Sequence, residues 1–229
     1  MAKKIFISPS NQTRNLYAYG NTTEAIQCGK IGVALQTALA RCGFETKLMQ
    51  YYSMADRVAA SNKWGADLYI PVHSNAYNGK VSGTRLMAYD TSGYGYAACK
   101  AIFKHLAPIT PGTSENITAR PGLYEIKHPA APTAYIEVDF HDNATAAKWI
   151  VEHTQDIAEA ICHGVCNYFG VEYKAPASAD EPEQTVIPEF LYHVQLGAFA
   201  KKENAEKLSD QLKEDGYEVY IKPEKKAAE

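Results

Sequence analysis

Apolar and polar positions follow two alternating periods along most of the chain. Short apolar runs of strand length recur at Lys4–Ser8, Phe44–Met49, Leu68–His73, Ser82–Tyr89 and Thr133–Phe140. Between them lie stretches with the three- and four-residue spacing of helices. The clearest stripe is Glu24, Cys28, Ile31, Leu35, Ala38 and Cys42, which predicts a helix from Thr22 to Cys42 ended by Gly43. Helices are also predicted at Met54–Trp64, at Tyr94–Leu106 and, as one long element, at Asn143–Phe169. Ser10–Thr23 is polar and reads as a long functional loop. Thr110–Ala131 reads as a Pro/Gly-rich excursion carrying Tyr124. Strands alternate with helices, which predicts an α/β fold: a mostly parallel twisted sheet with helices on both faces.

The pattern changes near Val171. Lys174–Thr185 is rich in Pro, Ala and Glu and has nothing to bury, so it reads as a linker. A short βαβ tail follows: strand Phe190–Phe199, amphipathic helix Lys202–Asp215, Gly216, and strand Tyr217–Ile221. The expected organisation is a catalytic domain at 1–171, a linker at 172–189 and a small tail at 190–229.

Two of the strands end in reactive side chains. The apolar run of Ala66–Ala76 breaks at His73, followed by Ser74 and Asn75. Thr133–Asn143 carries Glu137 inside its apolar run and His141 just past it. Open α/β sheets keep their chemistry at the carboxyl ends of strands. A buried unpaired carboxylate is costly, so Glu137 needs either a function or an ion-pair partner, with Arg85 and Arg120 the candidates. Glu24 lies on the inward helical stripe, or serves as the third residue of a capping box begun by Asn21. Two imidazoles and carboxylates at strand mouths point to a hydrolytic metal centre.

Composition narrows the field. The 229 residues are 46% hydrophobic and 21% charged, which suits a globular protein with a real core. A net charge of −3 with no basic block argues against nucleic acid as the main partner. No apolar run reaches the length of a membrane span. Met1–Ser8 reads as a first strand rather than a signal peptide, so synthesis and folding in the cytoplasm are expected. The five cysteines are odd in number, without CxxC spacing, and read as reduced core hydrophobes. Neither a cysteine zinc site nor a disulfide framework is expected.

The ordered pieces Ile5–Asn11, Gly20–Glu24, Ala66–Ala76, Ser82–Arg85 and Ala134–Asn143 together resemble the zinc-dependent N-acetylmuramoyl-L-alanine amidases of the amidase-3 type. Residues 190–221 resemble the first half of a SPOR domain, a peptidoglycan-binding module. The resemblance implies hydrolysis of the amide between N-acetylmuramic acid and the L-alanine of the stem peptide. It implies Zn²⁺ held by Glu24 and His73, with Glu137 as the base. It also implies a first-loop histidine ligand, where this chain has Asn11. His141 is a physical candidate to replace it, completing a site of Glu24, His73 and His141 with an open water position; Asn11 could instead take part directly or through water. Asn75 is expected to shape its loop and meet substrate, and Tyr124 to line a sugar or peptide groove. Peptidoglycan is the expected partner, reached after lysis or through a separate pore as by a phage-type endolysin. A metal-free wall-binding protein and a metallopeptidase of the stem peptide are the rival readings.

Overall fold

The computed structural model describes residues 2–176, 199, 201–214, 219 and 221. The chain divides into two units, Met1–Ala177 and Ser178–Glu229. In the first unit six strands form one sheet: β1 (Lys4–Pro9), β2 (Glu45–Leu48), β3 (Leu68–Asn75), β4 (Arg85–Ala88), β5 (Asn116–Ala119) and β6 (Tyr135–Phe140). Their order is β2-β1-β3-β6-β4-β5. All neighbours are parallel except β4 against β6. Six of its helices are α1 (Glu24–Arg41), α2 (Met54–Trp64), α3 (Tyr94–Leu106), α4 (Tyr124–Lys127), α5 (Ala144–Glu152) and α6 (Thr154–Phe169). This is the expected mostly parallel α/β sheet.

The two faces of the sheet differ because side chains alternate along each strand. One face carries Ile5, Ile7, Leu68, Ile70, Val72, Leu86, Ile136 and Val138, all fully buried in one apolar core with α1, α3 and α6. The other carries Phe6, Ser8, Tyr69, His73, Tyr135 and Glu137. There Phe6 stacks on Tyr69 at 5.4 Å and packs with Val58 of α2, a much smaller cluster. The apolar face gives most of the burial. The mixed face is free to carry chemistry.

Three differences from the sequence reading have physical reasons. The long helix expected over Asn143–Phe169 is two helices, broken at His153, whose φ of −117° and ψ of 29° leave the helical region. The apolar stripe runs through the break, so periodicity alone does not reveal it. The Thr110–Ala131 excursion contains β5 and α4, each four residues long and too short for a periodic signal. The expected linker starts too early as well, since Tyr173 and Lys174 are bonded to the first unit. Tyr173 donates its hydroxyl proton to Glu159 at 2.7 Å, and the Lys174 carbonyl accepts from Arg41 Nε at 2.8 Å. In the second unit a helix, α7 (Lys202–Glu214), matches the expected amphipathic element. The two flanking strands expected at Phe190–Phe199 and Tyr217–Ile221 lie mostly outside the described residues.

Candidate active site

The site forms where β3 and β6 end. His73 and Glu137 are register partners on these parallel strands, so both side chains leave the same face. Just beyond them the register shifts: Asn75 pairs with Phe140, which puts one extra residue on β6. Such a bulge re-aims the side chains around it. On the other side of β6, Arg85 is the partner of Glu137.

Glu24 reaches the same mouth from the start of α1. Thr23 is the cap, its hydroxyl accepting from the Ile26 N–H at 3.3 Å. Glu24 is therefore the first helical residue, not the third of a capping box. Its carboxylate is buried, and Oε1 lies 2.9 Å from His73 Nδ1. Oε2 accepts from the Asn15 amide at 2.6 Å. Its carboxyl is held below the ordinary range: burial opposes this, but the hydrogen bond and charge of His73 and the bond from Asn15 outweigh it.

On the other side of the His73 ring sits Glu125, a residue that sequence reasoning missed. Its Oε2 is 3.5 Å from His73 Nε2 and 3.4 Å from Arg57 Nη2. Its Oε1 accepts from Ser8 at 2.6 Å and from Tyr69 at 2.7 Å. Arg57, buried with it, also donates to the Pro9 carbonyl at 2.6 Å, so it bridges the end of β1 and α4 as a structural cation. Glu125 falls in an aperiodic Leu-Tyr-Glu-Ile segment with nothing to mark it as buried. Its cation Arg57 is seen to be buried only in the structure, so no local signal in the sequence points to Glu125.

Burial alone would push His73 down. The Glu125 carboxylate 3.5 Å away, the hydrogen bond to Glu24 and the charge of Glu137 hold it up at about 9 instead. The ring stacks on Tyr135 at 4.7 Å. Glu137 shows the opposite balance. Burial raises its carboxyl, His73 lowers it and Glu24 raises it, leaving it at about 7. Its Oε2 is buried with no hydrogen-bond partner. Neither Arg85 nor Arg120 neutralises it: the Arg85 guanidinium bonds Ser114 at 2.8 Å and lies over the Phe140 ring.

A hollow of about 340 Å³ opens onto Glu137, lined also by Asn75, Arg85, Asn116, Arg120 and Tyr135. An adjoining hollow of about 350 Å³ shares Asn75 and Arg85 and adds Tyr77 and Phe140. Asn75 thus borders both, and its Oδ1 accepts from the Ala76 N–H at 2.8 Å, fixing the loop. Tyr124 stands outside both linings. It is partly exposed and stacks on His128 at 4.3 Å.

The structure does not bring His141 to the Glu24–His73 pair. Its Nδ1 lies 2.9 Å from the Ser74 carbonyl and 3.0 Å from the Ser74 hydroxyl, and its ring stacks on Tyr17 at 5.3 Å. The carbonyl can only accept, so Nδ1 carries the proton and Nε2 keeps its lone pair. Asn11 is exposed, and its amide donates to the Tyr52 carbonyl at 3.1 Å. Among the described residues, the one group of three or more histidine, cysteine or acidic ligand atoms lying within 4.8 Å of one another is Cys42, Cys162 and Cys166, away from this mouth. Zinc in a hydrolase needs three protein ligands. As the side chains stand, no three ligand atoms of Glu24, His73, Glu125 and Glu137 lie within 4.8 Å of one another, so a three-ligand zinc site does not fit the mouth.

A mostly parallel α/β sheet thus brings a buried carboxylate to a strand-end cleft, and comparison with known proteins assigns the chain to a family. The model of the amidase-3 family, N-acetylmuramoyl-L-alanine amidase, matches residues 5–167, and the chain belongs to that family. Residues 188–228 match the SPOR domain. A sporulation-specific N-acetylmuramoyl-L-alanine amidase of Bacillus subtilis (strain 168) is 24% identical over 225 residues, covering 95% of this chain and 84% of the relative. The N-acetylmuramoyl-L-alanine amidase CwlM of Bacillus licheniformis is 25% identical over 235 residues, with the same two coverages. Among solved structures, the catalytic domain of the amidase CwlV from Bacillus (Paenibacillus) polymyxa superposes with a TM-score of 0.65 at 14% identity. That superposition covers 74% of this chain and 99% of the other, and it bears on the fold.

Proposed function

We propose that the chain hydrolyses the amide bond between N-acetylmuramic acid and the L-alanine of the peptidoglycan stem peptide, with Glu137 as the proton-transfer group. The observation that carries this is the orphaned, buried Oε2 of Glu137 beside an open cleft. A carboxylate poised near 7 is matched to general base work at neutral pH. In its charged form Glu137 accepts a proton from the attacking water, then returns it to the L-alanine nitrogen as the C–N bond breaks. His73, hydrogen-bonded to Glu24 on one edge and facing Glu125 on the other, stands beside that reaction. Arg85 and Asn75 line the substrate cleft. The SPOR-matching tail keeps the enzyme on peptidoglycan.

Zinc activation is the finer form of this reading. It takes Glu24 and His73 as ligands and needs a third, from His141 through its free Nε2 or from Asn11. No step is assigned to the metal here, since that third ligand is not in place. Zinc stoichiometry measured in a Cys162→Ala background, which removes the separate cysteine cluster, with and without His141→Ala tests it: one equivalent in the former and a sharp loss in the latter support relocation to His141, and full occupancy in the double variant removes it. The incomplete ligand set favours one rival, a wall-binding protein without hydrolysis. Release of stem peptides from purified cell walls by the wild type, lost in Glu137→Gln, would exclude that rival.

A further inference from the structure

Three of the five cysteines meet although they are distant in sequence. Cys42 follows α1, while Cys162 and Cys166 lie one turn apart on α6. All three are buried and unbridged, and their sulfurs lie within 4.8 Å of one another. We propose that this triad is a second, thiolate metal site for a soft d10 cation such as Zn²⁺. It is separate from the catalytic mouth: Glu24 opens α1 and Cys42 closes it, and 18 residues of helix span about 27 Å.

The geometry suits such an ion. Zinc–sulfur bonds of about 2.3 Å in a tetrahedral sphere set two sulfurs about 3.8 Å apart. Cys42 Sγ and Cys162 Sγ stand 3.7 Å apart. The surroundings suit thiolates as well. The Lys174 N–H points at Cys42 Sγ at 3.4 Å, and the guanidinium of Arg41 lies alongside, held by Glu159 and the Lys174 carbonyl. Donors and cations of this kind stabilise thiolate ligands from outside the coordination sphere. The Lys174 carbonyl oxygen, 3.8 Å from Cys42 Sγ, accepts one bond from Arg41 and keeps a lone pair for the fourth position. Binding forms three metal–sulfur bonds and releases three thiol protons to solvent, so affinity falls at low pH. Occupied, the site ties the end of α1 to α6 and to the strap at 171–174 that covers it. Neither the amidase reading nor the mouth at Glu24 and His73 is required for this site.

The test is a Cd²⁺ titration of the reduced full-length protein, read by the ultraviolet thiolate-to-cadmium absorption and by melting temperature. One equivalent should saturate the absorption and raise the melting temperature. Both effects should vanish in Cys162→Ala and Cys42→Ser and persist in Cys99→Ala and Glu24→Gln. Should the triad variants fail to fold, alkylation of cadmium-loaded wild type in partial denaturant still decides. Protection of Cys42, Cys162 and Cys166, but not of Cys28 and Cys99, supports the site. Absence of a thiolate band in the wild type, survival of the band in folded Cys162→Ala, or equal alkylation of all five cysteines overturns it. A Cys42–Cys162 disulfide forming in air, with no cadmium uptake by the reduced chain, also overturns it and identifies a redox pair.

Discussion

Replacing Glu137 with Gln should stabilise the protein while disabling it, and the stabilisation should depend on pH. The folded carboxyl titrates at about 7 against an ordinary value of 4.5. A folded pKa raised above the unfolded one means that folding favours the protonated acid. The cost of holding the charged form is small at and below the unfolded value, grows as pH rises between the two, and is constant above the folded value. A difference of about 2.5 units corresponds to about 3 kcal/mol lost between about pH 4.5 and about pH 8.5. Gln has no such term, and its own burial cost is the same at both pH values. At 2–4 °C per kcal/mol for a unit of about this size, the melting-temperature gap between Glu137→Gln and wild type should widen by roughly 6–12 °C over that range. Scanning calorimetry of both proteins across the range measures it. A gap that stays constant with pH would show that Glu137 is not held in a desolvated, unpartnered state, and the case for it as a poised base would fail.

Arg57→Met should cost about 1–3 kcal/mol, because buried Glu125 loses one of its two cationic neighbours and keeps His73 and the Ser8 and Tyr69 hydroxyls; denaturant midpoints measure this, and no measurable loss would contradict the ion pair. The same loss should shrink as pH falls through the depressed Glu125 pKa, where the wild-type pair also loses its benefit. Gly164→Ala should destabilise by about 1–3 kcal/mol or more, since its new Cβ would stand 2.3 Å from Ile102 Cα at the α3–α6 contact, where backbone cannot yield cheaply. Cutting the chain after Ala177 should leave the melting temperature of the first unit unchanged, whereas cutting after Val171 should lower it by removing the Tyr173–Glu159 and Arg41–Lys174 bonds. Equal melting temperatures for the two truncations would show that the strap contributes nothing.

Strand ends were the legible part of this chain. His73 and Glu137 were visible because apolar runs of strand length stop at or enclose them, and the parallel register then made them neighbours. Glu24 was visible through its place on the α1 stripe. His141 shows the limit of that reasoning. Its sequence position places it at the correct edge, but one bulge residue and the Ser74 carbonyl decide where its ring points. Glu125 was hidden because a four-residue helix has no periodicity. The cysteine triad was hidden for a different reason: Cys42 meets α6 across 120 residues of chain, and no local spacing encodes that approach.

The most direct measurement of the central claim is product analysis of defined muropeptides by mass spectrometry, with wild type and Glu137→Gln side by side. The wild type should release the stem peptide with a free L-alanine amino terminus and leave an intact lactyl carboxylate on the glycan. Glu137→Gln should bind the same wall and slow that release by roughly 100-fold or more, the scale of a general base. Cleavage within the peptide, or release by Glu137→Gln at near the wild-type rate, would contradict the account.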